Sequence, residues 1–318
     1  MKVKYSIIIA NHNDREMCDR LLKTLLDIDL VGYDDWEIIV VDDGSDRPYV
    51  FPDEYAENRR LIRLRRIINL GVGDAFDYGV SMASGEYIIL MGADTYVGKN
   101  GWIRDAINNY IGGIVCFANK GDNPNIPDKH GLIRSGASIV WRMDGEDLSE
   151  KHPYHGNVMY RDIIQAKWLP SGGEYFFKVP CILGAVYLTT RSLYNSVKGF
   201  EGHRVWGGLE PMISLKYWLM GSSCWVNKSI VTSHTYTRTT KRPDLHHYYA
   251  NKMFIAQTLL SPELSVKLLS FYANITVRQD VLKQSYAYLY HNRDLINYLG
   301  QNIIHDVRDL EILNWTDE

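Results

Sequence analysis

Asp94 closes an apolar run. Ile88 to Met91 are four apolar residues in a row, and Gly92, Ala93, Asp94 and Thr95 follow at once. A strand that ends by presenting one carboxylate on a small-residue turn has two readings. The first is a turn aspartate bonding its own backbone. The second is a cation and phosphate site at the carboxyl end of a strand. A similar break occurs at Asp42 and Asp43, where "WEIIVV" gives way to "DDGSDRP". Carboxylates placed there are turn acids, or acceptors for a base N–H or ribose hydroxyls. The "NLGVG" stretch, Asn69 to Gly73, holds a lone G-x-G. Phe76 stands where the dinucleotide fingerprint requires its third glycine, which argues against a Rossmann dehydrogenase.

The elements that must position these groups follow from the apolar pattern. "YSIIIA" (5–10), "WEIIVV" (36–41), "RLIRLRRI" (60–67) and "YIILM" (87–91) read as strands. Asp14 to Leu26 and 71–83 carry apolar residues at helical spacing between them. Strands that are apolar on both faces and alternate with helices predict a mostly parallel sheet covered on both sides, an α/β fold. In such sheets ligands bind outside the carboxyl ends of the strands, where each polar cluster named above falls. Further on, "GASIVWRM" (136–143) and "CILGAVYLTT" (181–190) predict strands, and 209–220 a helix with Pro211 in its first turn. From Pro243 the pattern is helical, with Ser261 before Pro262 as a helix start. The arginines of "RRLIRLRR" read as the solvated side of a strand.

The chain has 318 residues, 46% of them hydrophobic, and a net charge of -3. No global field argues for nucleic acid. The start "MKVKYSIIIANHND" lacks the h-region of a signal peptide, and no run approaches the roughly 20 apolar residues of a membrane span. The four cysteines form no metal pattern, so free buried thiols and a cytoplasmic setting without membrane insertion are expected.

In order, "SIIIANHND", "WEIIVVDDGSD" and "NLGVGDAFDYGVSMASGEYIILMGADT" resemble the amino-terminal half of the family 2 type glycosyltransferases, which have the GT-A fold. "CILGAVYLTTRSLYNSVKGFEGHRVWGGLEPMISLKYWLMG" is similar to the acceptor-side segment of polypeptide N-acetylgalactosaminyltransferases and galactosyltransferases. "SHTYTR" (233–238) looks like the family's late histidine. The resemblance implies a GT-A domain over 1–242, with a nucleotide-sugar half (1–118) and an acceptor half (119–242), then a C-terminal helical subdomain over 243–318.

It also implies a reaction: transfer from a nucleotide-diphosphate sugar, a UDP sugar in preference, to an acceptor hydroxyl with a divalent metal. Asp94 and His234 would hold the metal, and a nitrogen ligand suits Mn²⁺ better than Mg²⁺. Asp14, Asp42, Asp43, Asn69, Gly71, Ala93, Asp94 and Arg238 would bind the donor. Trp206, Gly207 and Gly208 would contact the acceptor, and Glu210 would act as the base that an inverting transferase needs. The first motif aspartate is replaced by Gly92, which keeps alive a protein of the same fold that binds or transfers nucleotidyl groups without glycosyl transfer. Asp74 and Asp77 stand where the family often has a basic residue. The acceptor is open among a protein hydroxyl, a glycan, a metabolite and a hydroxymethylated DNA base. Retention or inversion and the oligomeric state are open as well.

Overall fold

The computed structural model describes residues 3–122, 131–141, 164–169, 174–205, 207–235, 245–274 and 279–313. The first half runs β1 (Tyr5–Asn11), α1 (Arg15–Thr24), β2 (Trp36–Asp43), β3 (Leu61–Arg66), α2 (Val72–Met82), β4 (Tyr87–Gly92), β5 (Thr95–Tyr96), α3 (Trp102–Asn108) and β6 (Ile114–Gly121). Then come β7 (Ile133–Arg134), β8 (Ala137–Trp141), β9 (Ile164–Trp168), β10 (Phe176–Lys178), β11 (Val186–Thr190), α4 (Arg191–Ser196), α5 (Leu209–Leu219) and β12 (Cys224–His234). Four helices follow: α6 (Leu245–Leu259), α7 (Pro262–Asn274), α8 (Gln279–His291) and α9 (Arg293–Asn302).

One sheet organises the molecule, in the order β10-β12-β6-β11-β4-β1-β2-β3. The pairs β1 with β2, β1 with β4, β2 with β3, and β6 with β12 are parallel. β11 lies antiparallel between β4 and β6. The chain leaves β1 toward β2 and β3 on one side and returns to β4 on the other. That makes the carboxyl ends of β1 and β4 the topological switch point, where open α/β sheets bind ligands.

The apolar runs are continuous because both faces are covered. Ile8, Ile39, Val41, Ile88 and Leu90 pack on one face with Phe76 of α2, Met212 of α5 and Phe254 of α6. Ile7, Ile9, Ile38, Val40, Ile89 and Met91 pack on the other with Leu21 of α1 and Trp102 of α3. Alternate residues of one strand therefore serve different cores, as the two-residue period of a strand requires. Leu264, Leu289 and Leu299 join the first core, so α7, α8 and α9 close on the same buried mass as the sheet. All four cysteines are free and buried. Among the described residues no helix is long and apolar enough to cross a membrane.

Three details differ from the sequence reading. The predicted strand at 181–190 begins only at Val186; upstream of it Cys181 instead bridges Ala137. Ile114–Gly121, given no reading, is β6, an interior strand between β12 and β11. The β3 arginines are not a free solvated face: Arg63 Nη1 donates to Tyr49 O at 3.0 Å, Arg65 pairs with Asp42 at 2.5 Å, and Arg66 pairs with Asp74.

Candidate active site

The loops at the switch point are interlocked before any ligand is considered. His12 Nδ1 donates to Asp43 O at 2.9 Å, and Asn13 N donates to Ser45 Oγ at 2.8 Å. Asn13 Oδ1 accepts from Asp46 N at 2.8 Å. The "NHND" and "DDGS" turns thus form one unit. Gly44 lies at φ +71, and a Cβ there would stand 2.4 Å from the carbonyl carbon of Ile68. A glycine is required, because only it accepts both the left-handed backbone and that approach.

Asp42 is fully buried. Its oxygens accept from Ser45 N at 3.1 Å, Tyr49 N at 2.9 Å and Arg65 Nη1 at 2.5 Å. Burial opposes its charge, but these bonds outweigh it and hold the carboxyl below its ordinary pKa. Asp43 accepts from Gly71 N at 2.8 Å and Leu70 N at 3.2 Å, while burial pushes its carboxyl up. The sequence left both acids as turn acids or as acceptors for the nucleotide, and the resemblance assigned them to the donor. Their partners in the structure are the loops themselves: Asp42 shapes the "DDGS" turn, and Asp43 fixes the "NLG" turn. Asn69 is exposed on that second turn, and Gly71 is buried beside Val205.

This placement gives an expected result. Asp43→Ala leaves the Leu70 and Gly71 N–H groups without their acceptor, at a cost of about 1–3 kcal/mol. Melting temperature and UDP affinity should fall together. A UDP titration unchanged in a variant with a lowered melting point would separate the loop from donor binding.

Asp94 follows β4 in a turn closed by Thr95 Oγ1 donating to Gly92 O at 2.6 Å. Ala93, which is buried, continues the ladder with its N–H on Ala10 O at 3.1 Å. The short strand β5 then pairs with the end of β12, opposing Thr95 to His234. This brings the two predicted metal ligands together: His234 Nε2 lies 3.0 Å from Asp94 Oδ2, both side chains being partly exposed. Thr235 N donates to Asp94 O at 2.9 Å and fixes the same junction. Asp14, at the start of α1, is close enough that burial and then the Asp94 charge raise its carboxyl.

Among the described residues no group of three or more His, Cys, Asp or Glu is arranged to hold a metal. A carboxylate and an imidazole alone still fit a divalent cation bound mainly by diphosphate oxygens, since such ions commonly take only one or two protein ligands there.

Glu210 sits in the first turn of α5, one strand over. It is half-buried, and Tyr187 Oη lies 3.4 Å from its Oε1. Burial raises its carboxyl above the ordinary glutamate value, with Tyr187 and the charge of Lys252 opposing the rise. Tyr187 belongs to β11, opposite Leu90 of β4, and Ala185 O accepts from Gly92 N at 3.4 Å. The acid on α5 and the "GAD" turn are therefore joined through adjoining backbone.

The loop before Glu210 is held from α6. Asn251 Oδ1 accepts from Arg204 N at 2.7 Å, and its Nδ2 donates to Arg204 O and Gly207 O, both at 2.8 Å. His203, kept neutral by burial with a pKa of about 3, donates from Nε2 to Gly207 O at 3.1 Å. Gly207 and Gly208 both have positive φ and pack under Tyr248 and Lys252. Lys252 is itself buried and donates to Ile164 O. The sequence reading missed Tyr187, Asn251 and Lys252. A signal existed for the last two, as an Asn-Lys pair inside the apolar run "YYANKMFIA".

Asp77 is likewise internal. It accepts from Tyr194 Oη at 2.5 Å and Phe200 N at 2.9 Å, and burial raises its carboxyl to about 7. Trp206 and Arg238 lie outside the described residues.

Residues 6–163 match the family described as Glycosyl transferase family 2. A 97-residue stretch is 35% identical to the cholesterol galactosyltransferase of Borreliella burgdorferi, covering 30% of this chain. The chain spans only 26% of that relative's length. The fold resembles GalNAc-T7 crystallised with UDP, GalNAc and Mn²⁺, with a TM-score of 0.55 at 15% identity over 91% of this chain and 58% of that one. It also resembles S. aureus TarS 1–349 in complex with UDP-GlcNAc, with a TM-score of 0.54 at 14% identity over 94% of this chain and 88% of that one. A mostly parallel sheet with interlocked loops at its switch point, an aspartate turn after β4 and the match over 6–163 agree: the chain has the GT-A fold and belongs to the family 2 glycosyltransferases.

Proposed function

We propose that the chain transfers a sugar from a UDP sugar to an acceptor hydroxyl in the presence of a divalent cation, Mn²⁺ in preference to Mg²⁺. One observation carries the reading: Asp94 and His234, from the ends of β4 and β12, meet at 3.0 Å at the strand ends where open α/β sheets commonly bind ligands. The fold relatives support the choice of donor, since one was crystallised with UDP and Mn²⁺ and the other with UDP-GlcNAc.

Asp94 and His234 would hold the cation. When bound, it supplies positive charge against the diphosphate as the sugar leaves. The "DDGS" and "NLG" turns, set by Asp42 and Asp43, form the floor beside the nucleotide. Glu210 would act on the acceptor side. Its raised carboxyl is a stronger base than an ordinary glutamate, and once ionised it takes the acceptor hydroxyl's proton. The bond from the anomeric carbon to the β-phosphate oxygen breaks, the bond to the acceptor oxygen forms, and UDP departs. Tyr187 lies against Glu210 and limits its freedom to turn.

The test is a panel of UDP sugars with Mn²⁺, read by mass spectrometry against protein, glycan, metabolite and hydroxymethylated DNA acceptors. Expected are UDP release and a hexose-sized mass gain on one acceptor class, both abolished by chelator. Donor binding with every UDP sugar recovered intact would favour the binding-only alternative.

A further inference from the structure

Gly92 stands where a two-acid motif would carry its first aspartate. The backbone does not demand glycine there, because Gly92 is absent from the residues with positive φ and continues the β4 ladder opposite Ala10. The demand comes from a side chain. A Cβ on Gly92 would lie 2.7 Å from Asp94 Oδ1 and 3.9 Å from its Cγ. Chain neighbours apart, no other heavy atom lies within 4 Å of that point. The Asp94 carboxylate is folded back over the Gly92 Cα and fills the space a first-position side chain would use. From there its other oxygen, Oδ2, reaches His234 Nε2.

We infer that Gly92 is a positioning residue for the metal pair: its missing side chain is the slot that lets Asp94 lie back toward His234. The inference rests on the metal reading of Asp94 and His234 and adds a consequence to it. The "GAD" turn is a one-carboxylate, one-imidazole design in its own right, not a two-acid motif with one acid lost. Placing an aspartate at 92 therefore removes a ligand geometry instead of restoring one. The clash in Gly92→Ala falls on the end of a flexible side chain, so the carboxylate turns away while the strand persists.

The experiment measures Mn²⁺ affinity in the presence of UDP, by electron paramagnetic resonance of free Mn²⁺, for wild type, Gly92→Ala, Gly92→Asp and Asp94→Asn. Thermal melting is recorded for each. Groups that orient metal ligands are typically worth about 10- to 100-fold in metal affinity, and a loss of that size is expected for both Gly92 variants at near-normal melting temperature. Tighter Mn²⁺ binding by Gly92→Asp, or unchanged binding by Gly92→Ala while Asp94→Asn has lost it, overturns the inference alone. Unchanged binding by Asp94→Asn removes the metal reading and this inference with it. Should the Gly92 variants fail to fold, a crystal structure of the wild-type protein with Mn²⁺ and UDP decides: the Asp94 carboxylate lies over the Gly92 Cα, or, turned away from it, refutes the slot.

Discussion

Asp94→Asn is expected to lose turnover by about 10²-fold or more, since a cation opposite a leaving diphosphate is worth several kcal/mol in the transition state. The amide keeps the shape and a hydrogen-bonding oxygen. The Thr95 to Gly92 bond that closes the turn and the Thr235 N–H on Asp94 O involve no part of the exchanged group, so the fold should stand. UDP affinity in Mn²⁺ should fall to the value that wild type shows in chelator, and further chelator should change nothing in the variant. Stopped assays with and without EDTA, with calorimetric UDP titrations, check both statements. Full activity of wild type in excess chelator would sink the metal claim whatever the variant does.

The second large effect separates chemistry from binding at Glu210. Glu210→Gln preserves volume and the contact with Tyr187 but cannot take a proton. A general base contributes roughly 10²–10⁴-fold, so a loss in that range is expected in turnover. Donor affinity should change little, because the loops proposed to hold the donor follow β1, β2, β3 and β4, not α5. The sign of the pH dependence follows from the raised carboxyl. The base must be ionised, so wild-type turnover should fall as pH drops through a value above the ordinary glutamate pKa. That acid limb should vanish in the variant. If Glu210 serves only the start of α5, the outcome reverses: a lowered melting temperature with near-normal turnover. A retaining enzyme would instead show weakened acceptor binding with turnover less affected.

The sheet core was legible because β1, β2 and β4 are apolar on both faces, a pattern that only a doubly covered sheet explains. Their polar ends were legible for the same reason: the pattern stops abruptly where the strand leaves the core. The meeting of Asp94 with His234 was available only through the resemblance, since nothing local in "SHTYTR" indicates that β12 ends beside β5. β6 was not legible. Its run at Ile114 to Ala118 is as apolar as the others, but its place inside the sheet depends on pairing with β11 and β12, which are distant in sequence. For Asp42 and Asp43 the sequence left two roles open, turn acid or donor contact, and gave Asp77 none. Composition shows an acid near a turn, but whether the carboxylate faces a ligand or the N–H groups of a neighbouring turn depends on loop packing. Tyr187 was hidden because a hydroxyl in a buried strand reads as one more aromatic of the core.

The hold that Asn251 exerts on residues 204–207 has a consequence for the order in which the chain matures. β1 to β3 and the "NHND" and "DDGS" turns lie early in the sequence and bond among themselves. The loop that presents Glu210 gains its anchor only when α6 exists. Chains fold as they emerge, amino-terminal parts first. During synthesis the turns after β1 and β2 can therefore form while the loop before Glu210 is still slack, and the proposed donor and acceptor sides come together only after α6 leaves the ribosome and docks.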